Sequence, residues 1–193
     1  MKYLKKVRYN SPVILTYSFV ALVVLIVGII TDRWFIFKFF SVYRSSFLDP
    51  LTYVRLFTYV LGHIDFSHYM SNMLLMLIVG PPLEEKYGSK KLLIAIALTA
   101  FVGAVVQIAF FPNTSLLGAS GIVFMMIVLS SFAGMEKGSI PLTLIIVIIL
   151  YLGQEILQGI IIKDNISQFT HIVGGICGVF IGFGYSKSSS YKK

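Results

Sequence analysis

A chain of 193 residues that is 57% hydrophobic and only 12% charged carries about half the charge of a soluble domain, which excludes a water-soluble globular fold. The single cysteine, Cys177, excludes a disulfide framework. The net charge of +8 raises the question of nucleic acid, and its placement along the chain answers it below.

In chain order, the first element is residues 13–30, an uncharged apolar run at the roughly 18-residue length of a transmembrane helix. It is too long for a cleavable signal peptide and no small-residue cleavage site follows it, so it is expected to remain as a span. Residues 31–66 form a long connection in which Trp34, Phe35, Phe37, Phe39 and Phe40 mix with Arg33 and Lys38. Aromatic rings and long cations belong in the headgroup region, so this loop is expected to lie partly in the interface. Residues 67–83 are a second, interrupted apolar span; 92–111 and 116–135 are a third and fourth. Residues 140–162 form a fifth, with Glu155 inside, and 169–185 a sixth. Connections after the second span are short, which implies antiparallel neighbours. Residues 186–193 are a Ser/Lys-rich cytoplasmic tail, expected to be disordered. The fold class is all-α: a polytopic membrane protein of six transmembrane helices, with residues 1–185 as one membrane domain.

The basic residues sort by side. Lys2, Lys5, Lys6, Arg8, Lys86, Lys90, Lys91, Lys137, Lys187, Lys192 and Lys193 fall on the side of both termini. Arg33, Lys38, Arg44, Arg55 and Lys163 fall on the other. Eleven against five obeys the positive-inside rule, with both termini cytoplasmic. The basic charge is thus an orientation signal and a match to anionic lipid rather than a nucleic-acid surface.

Polar residues concentrate at one depth. Gly118-Ala119-Ser120-Gly121 opens the fourth span, with Ser120 about one turn in if the helix starts near Leu116. His171 opens the sixth span at similar depth. His68 and Asn72 share a face at the start of the second. Intramembrane polar groups are costly and face a cavity or a partner. A serine and a histidine are the minimum for nucleophilic catalysis: the hydroxyl needs a base, and imidazole titrates near neutrality. No acidic residue lies at that depth, so the pair is a dyad. His68, Asn72 and the Ser120 backbone N–H are candidate oxyanion donors. Gly118 and Gly121 permit a tight backbone at the serine. Gly174, Gly178 and Gly182 form a small-residue stripe that lets another helix approach. Taken singly, each feature has a structural reading as well: a serine bonded back to its helix, glycines for packing, a His–Asn pair bridging helices. Cys177 reads as a buried inert thiol or a reactive one.

These residues resemble the rhomboid intramembrane serine proteases. Gly118-Ala119-Ser120-Gly121 resembles the family's Gly-x-Ser-Gly nucleophile motif. His171 with Gly174 and Gly178 resembles its His-x-x-Gly-x-x-x-Gly base motif, and His68 with Asn72 its His-x-x-x-Asn oxyanion motif. His63 sits where members often have a histidine, and Glu84-Glu85-Lys86-Tyr87-Gly88 resembles the Glu-x-x-x-Gly element after the second span. The resemblance runs from about Leu51 to Gly184 and implies the minimal six-helix bundle. Two positions depart from it. Val54-Arg55 stands where Trp-Arg is common, and Phe124 replaces the tyrosine that stacks under the base histidine.

The resemblance implies a serine endopeptidase that cuts transmembrane proteins near their outer ends, without cofactor or metal, in a prokaryotic plasma membrane. Transmembrane substrates and the lipid bilayer are the expected partners; the sequence carries no signal for an oligomeric state. The alternative is a non-catalytic rhomboid-like protein that binds transmembrane helices. A transporter would need polar residues along the full depth, and 122–129 and 142–151 offer almost none. A zinc protease would need His-Glu-x-x-His. Gly153, Gln154, Glu155, Gln158 and Gly159 in the fifth span suggest either a mobile gate for substrate or hydrogen bonds to neighbouring helices.

Overall fold

The computed structural model describes residues 8–133, 139–140, 142–143, 145–147, 149–150 and 165–190, with side chains of the last segment described over 169–186. The helices whose bounds are described are α1 (Pro12–Ile30), α2 (Trp34–Phe39), α3 (Pro50–Thr58), α4 (Phe66–Tyr87), α5 (Ser89–Phe110), α6 (Ser120–Ser131) and α7 (Asn165–Ser190). A 3₁₀ turn, Tyr59–Leu61, follows α3. Three stretches, Pro12–Ile30, Ser89–Phe110 and Phe169–Ser186, are long and apolar enough to cross a membrane. Their outer faces are apolar as well: Phe19, Ile30, Phe110 and Phe180 are exposed. Such a surface suits hydrocarbon as solvent, where helices satisfy their own backbone.

The helix ends show why the bundle closes. Pro12 begins α1, where its missing N–H costs nothing. The next amides, of Val13 and Ile14, donate to the Glu84 carboxylate at 3.0 and 3.2 Å. Glu84 is 4% exposed and also accepts from the Ser89 hydroxyl at 2.7 Å. One buried acid near the end of α4 thus caps α1 and braces the start of α5, with its charge at the positive end of a helix dipole. Gly88, at φ +82°, turns α4 into α5. The core, Ile14, Met73, Met76, Leu92, Met125 and Met126 among others, lies between α1, α4, α5 and α6.

Four boundaries differ from the sequence expectation. The long connection of 31–66 is itself structured by α2, α3 and the 3₁₀ turn. Arg55 anchors it: the buried guanidinium donates from Nε to the Lys38 carbonyl (2.8 Å), pairs with Asp49 (3.3 Å) and lies 4.6 Å from the Tyr43 ring centre. The second span runs on through Pro81 and Pro82 to Tyr87. The fourth begins at Ser120 rather than near Leu116, because Leu116 is held in an antiparallel bridge to Val42 by two backbone bonds of 2.8 and 2.9 Å. The sixth continues through Ser190; no glycine or proline after Gly184 stops it, so the tail expected to be disordered is helical over 186–190. Of the fifth span, residues 142–143, 145–147 and 149–150 are helical; Gly153, Gln154, Glu155, Gln158 and Gly159 lie outside the described residues.

Candidate active site

Ser120 is the first residue of α6. The approach to it is fixed at two points: the Val42–Leu116 bridge, and a bond from Gly118 N–H to the Tyr59 carbonyl at 3.0 Å. Gly118 has φ +121°, which L side chains avoid. A Cβ there would also lie 2.9 Å from His68 Cε1 and Nε2. Glycine is therefore required twice over, by backbone and by neighbour. The first intrahelical bond is Val123 N–H to Ala119 O, 2.9 Å. The N–H groups of Ser120 and Gly121 precede it, at the positive end of the helix.

α7 meets α6 backbone to backbone. A Cβ on Gly174 would overlap the Gly121 carbonyl, and one on Gly178 would lie 2.7 Å from Met125 O. The stripe reaches Gly182 against Phe132. This close crossing brings His171 onto Phe124, with ring centres 4.4 Å apart and planes at 41°. Phe124 is one turn from Ser120 on the same face of α6. The base-histidine candidate thus lies beside the serine's helix face, on an aromatic platform that lacks a hydroxyl.

α4 supplies the third wall. Asp65 caps it by accepting the His68 N–H at 2.8 Å, which fixes His68 in the first turn with its ring tip at Gly118. Its imidazole also lies within electrostatic reach of His171. Asn72, buried one turn on, donates from Nδ2 to the His68 carbonyl at 3.1 Å. His63, in the link before α4, is fully buried. Its ring stands edge-on to His68 at 5.0 Å and to Tyr69 at 5.6 Å. Nδ1 donates to Leu61 O at 3.2 Å, leaving Nε2 without a partner. Burial first, and the neighbouring His68 second, push this imidazole from 6.5 down to about 4.

The structure therefore gathers Gly118, Ser120, Gly121, Phe124, His68, His171 and Gly174 at one end of the bundle, with Asn72 a turn deeper and Gly178 a turn further along α7. Sequence reasoning missed Val42, Tyr59 and Asp65. Only Asp65 left a local signal, a capping acid three residues before His68. Among the described residues no three His, Cys, Asp or Glu side chains converge as a metal site. Cys177 is buried and unpaired by any disulfide.

A family model of the rhomboid domain matches residues 50–188, well over half of the chain. The chain belongs to the rhomboid family. It is accordingly an integral membrane protein with the helical, polytopic rhomboid fold. Rhomboid-related protein 2 of mouse is 28% identical over 155 residues, which span 70% of this chain and 51% of the mouse protein. Rhomboid-related protein 1 of Caenorhabditis elegans is 29% identical over 142 residues, 67% of this chain and 39% of the worm protein. Rhomboid protease GluP of Bacillus subtilis is 29% identical over 161 residues, 80% of this chain and 31% of that protein. This rhomboid thus matches about a third to half of the length of these relatives. The matched domain holds every site residue from Tyr59 to Gly178, while α1 and α2 precede it.

Proposed function

We propose that this rhomboid is a serine endopeptidase that hydrolyses peptide bonds in or near the transmembrane helices of other membrane proteins. The observation that supports this most is the stacking of His171 on Phe124, one turn from Ser120. In this reading His171 takes the Ser120 proton as Oγ attacks the scissile carbonyl carbon, and the carbonyl electron pair moves onto oxygen. The Ser120 N–H, the His68 ring and the Asn72 amide proton not given to His68 O stabilise that oxyanion. Collapse expels the amine, which leaves with the proton from His171. Water then attacks the acyl ester with His171 again as base, releasing the carboxylate and restoring Ser120. The ring of Phe124 takes the orienting role that an aspartate has in a triad.

The reading extends to orientation. The charge asymmetry supports an orientation with both termini in the cytoplasm and the Ser120 end of the bundle towards the outer face, in this reading that of a prokaryotic plasma membrane. Ser120 and His171 are both half-buried, which suits water entry from that face. A substrate helix shields its peptide bonds with its own hydrogen bonds, so segments that unwind easily are the preferred substrates.

A fluorophosphonate probe on the detergent-solubilised chain tests the dyad. Ser120 is expected to be labelled, and the label to vanish in His171→Ala. Labelling that survives His171→Ala sinks the reading. No labelling of a folded protein leaves a rhomboid that binds transmembrane helices without cutting them.

A further inference from the structure

At the Ser120 end of the bundle an open cavity of about 430 Å³ is lined by Trp34, Phe37, Lys38, Ser41, Tyr43 and Ser115. The walls are of two kinds. Trp34 and Phe37 are exposed apolar faces. Lys38 is a cation whose ammonium stands 4.7 Å from the Trp34 ring centre and 5.3 Å from that of Phe39. Aromatic faces, rather than a carboxylate, hold it there; among the described residues the one ion pair is Arg55–Asp49. Residues 31–55 carry Arg33, Lys38, Arg44 and Arg55 against only Asp32 and Asp49. The Ser41 hydroxyl donates to the Phe37 carbonyl at 2.8 Å, and Tyr43 and Ser115 are the other hydroxyl-bearing residues of the lining.

We propose that this cavity binds the phosphate headgroup of an anionic phospholipid, with the acyl chains leaving along Trp34 and Phe37. The chemistry favours that occupant. A site for a soluble anion has no use for two exposed aromatic faces at its mouth, and a zwitterionic headgroup would bring its ammonium against Lys38. A phosphodiester with hydrocarbon attached satisfies both walls at once. The cavity also straddles the bridge that fixes the approach to Ser120: Ser41 and Tyr43 flank Val42, and Ser115 precedes Leu116. A lipid held between Lys38 and Ser115 clamps the 31–49 connection onto the segment leading into α6, and so stabilises the folded protein.

The test uses the full chain, stripped of lipid and reconstituted in nanodiscs of phosphatidylcholine with or without phosphatidylglycerol. Retained lipid is read by native mass spectrometry and stability by the thermal midpoint; neither depends on catalysis. Phosphatidylglycerol is expected to be retained over phosphatidylcholine and to raise the midpoint. Lys38→Gln is expected to cut that retention about fivefold, the effect of one basic residue at an anionic membrane surface, and Ser115→Leu to lower it by crowding the lining with an apolar side chain. Lys86→Gln, at the opposite end of α4, leaves it intact. Equal retention in wild type, Lys38→Gln and Ser115→Leu would overturn the site in favour of diffuse attraction to the +8 chain. Equal retention of phosphatidylcholine, or the same stabilisation by inorganic phosphate in phosphatidylcholine discs, also overturns it. Should Lys38→Gln not fold, Ser115→Leu carries the test.

Discussion

Where α6 meets α7, backbone lies against backbone, and the fit depends on three glycines having no side chain. Where α6 meets α4, side chains make the join: the His68 ring reaches Gly118, and His63, Asp65 and Asn72 surround His68. The first wall sets position by exclusion. Its glycine contacts involve no titratable group, and one added methyl moves them. The second sets position by hydrogen bonds and ring contacts, so it responds to protons and tolerates changes of shape. The candidate nucleophile and base sit on the rigid pair, and the candidate side-chain oxyanion donors, His68 and Asn72, on the polar wall. Groups whose separation must not vary are thus held by packing, and groups that follow charge are held by polar contacts.

The strongest way to break the first wall is chemical. Ser120→Ala is expected to lower peptide hydrolysis on the order of 10⁶-fold, as when a serine nucleophile is lost from a soluble protease. The Ser120→Ala, His171→Ala double variant is expected to lose no more than either single variant, measured on a reconstituted transmembrane substrate. Losses that multiply would show that the two residues do not act as a unit. On the polar wall, His68→Ala is expected to reduce kcat about 10²–10³-fold with little change in KM, the cost of one oxyanion donor. An effect on KM alone would assign His68 to substrate binding.

His63 gives the polar wall a pH signature. Its imidazole is held at about 4 against 6.5 for the free group, so between those values the unfolded chain binds a proton that the folded chain does not. Stability is therefore full above about pH 6.5 and falls as pH drops towards 4, by roughly 3 kcal/mol across the window. Unfolding in detergent across that range is expected to show this slope, and His63→Gln to make it shallower. An unchanged slope in the variant would place the titration elsewhere.

Gly174→Ala sharpens the rigid wall. The new methyl overlaps the Gly121 carbonyl and is expected to destabilise by about 1–3 kcal/mol, in the manner of overpacking. The midpoint shift should be the same at every pH, in contrast to His63. Phe124→Leu is the smallest change, about 0.5–1.5 kcal/mol of aromatic contact with His171. It is expected to slow hydrolysis modestly, and Phe124→Tyr to leave it near wild type.

Much of this was legible in the sequence because the membrane makes hydrophobicity a length measure. Runs of apolar residues located α1, α5 and the α7 span to within a few residues. Glycine spacing pointed to a close helix contact along α7 without naming the partner, since a stripe at every fourth residue lies on one helix face. The start of α6 was not legible. Leu116 and Leu117 are as apolar as the helix that follows, and what removes Leu116 from it is a partner more than seventy residues earlier, Val42. Local hydropathy cannot report a long-range backbone pair. The same holds for α2 and α3, whose aromatic and basic residues read as interface without revealing helix boundaries. His63 was visible as a histidine, but its burial and its unpartnered Nε2 come from tertiary packing alone.

The Glu84 cap has a consequence for the order in which the molecule is made. During synthesis α1 emerges before α4, and the carboxylate that closes its start comes about seventy residues later, with the end of α4. Until then the Val13 and Ile14 amides depend on water, which keeps the start of α1 at the membrane surface. When α4 arrives, Glu84 replaces that water, and the position of the earlier helix is fixed retrospectively by the later one.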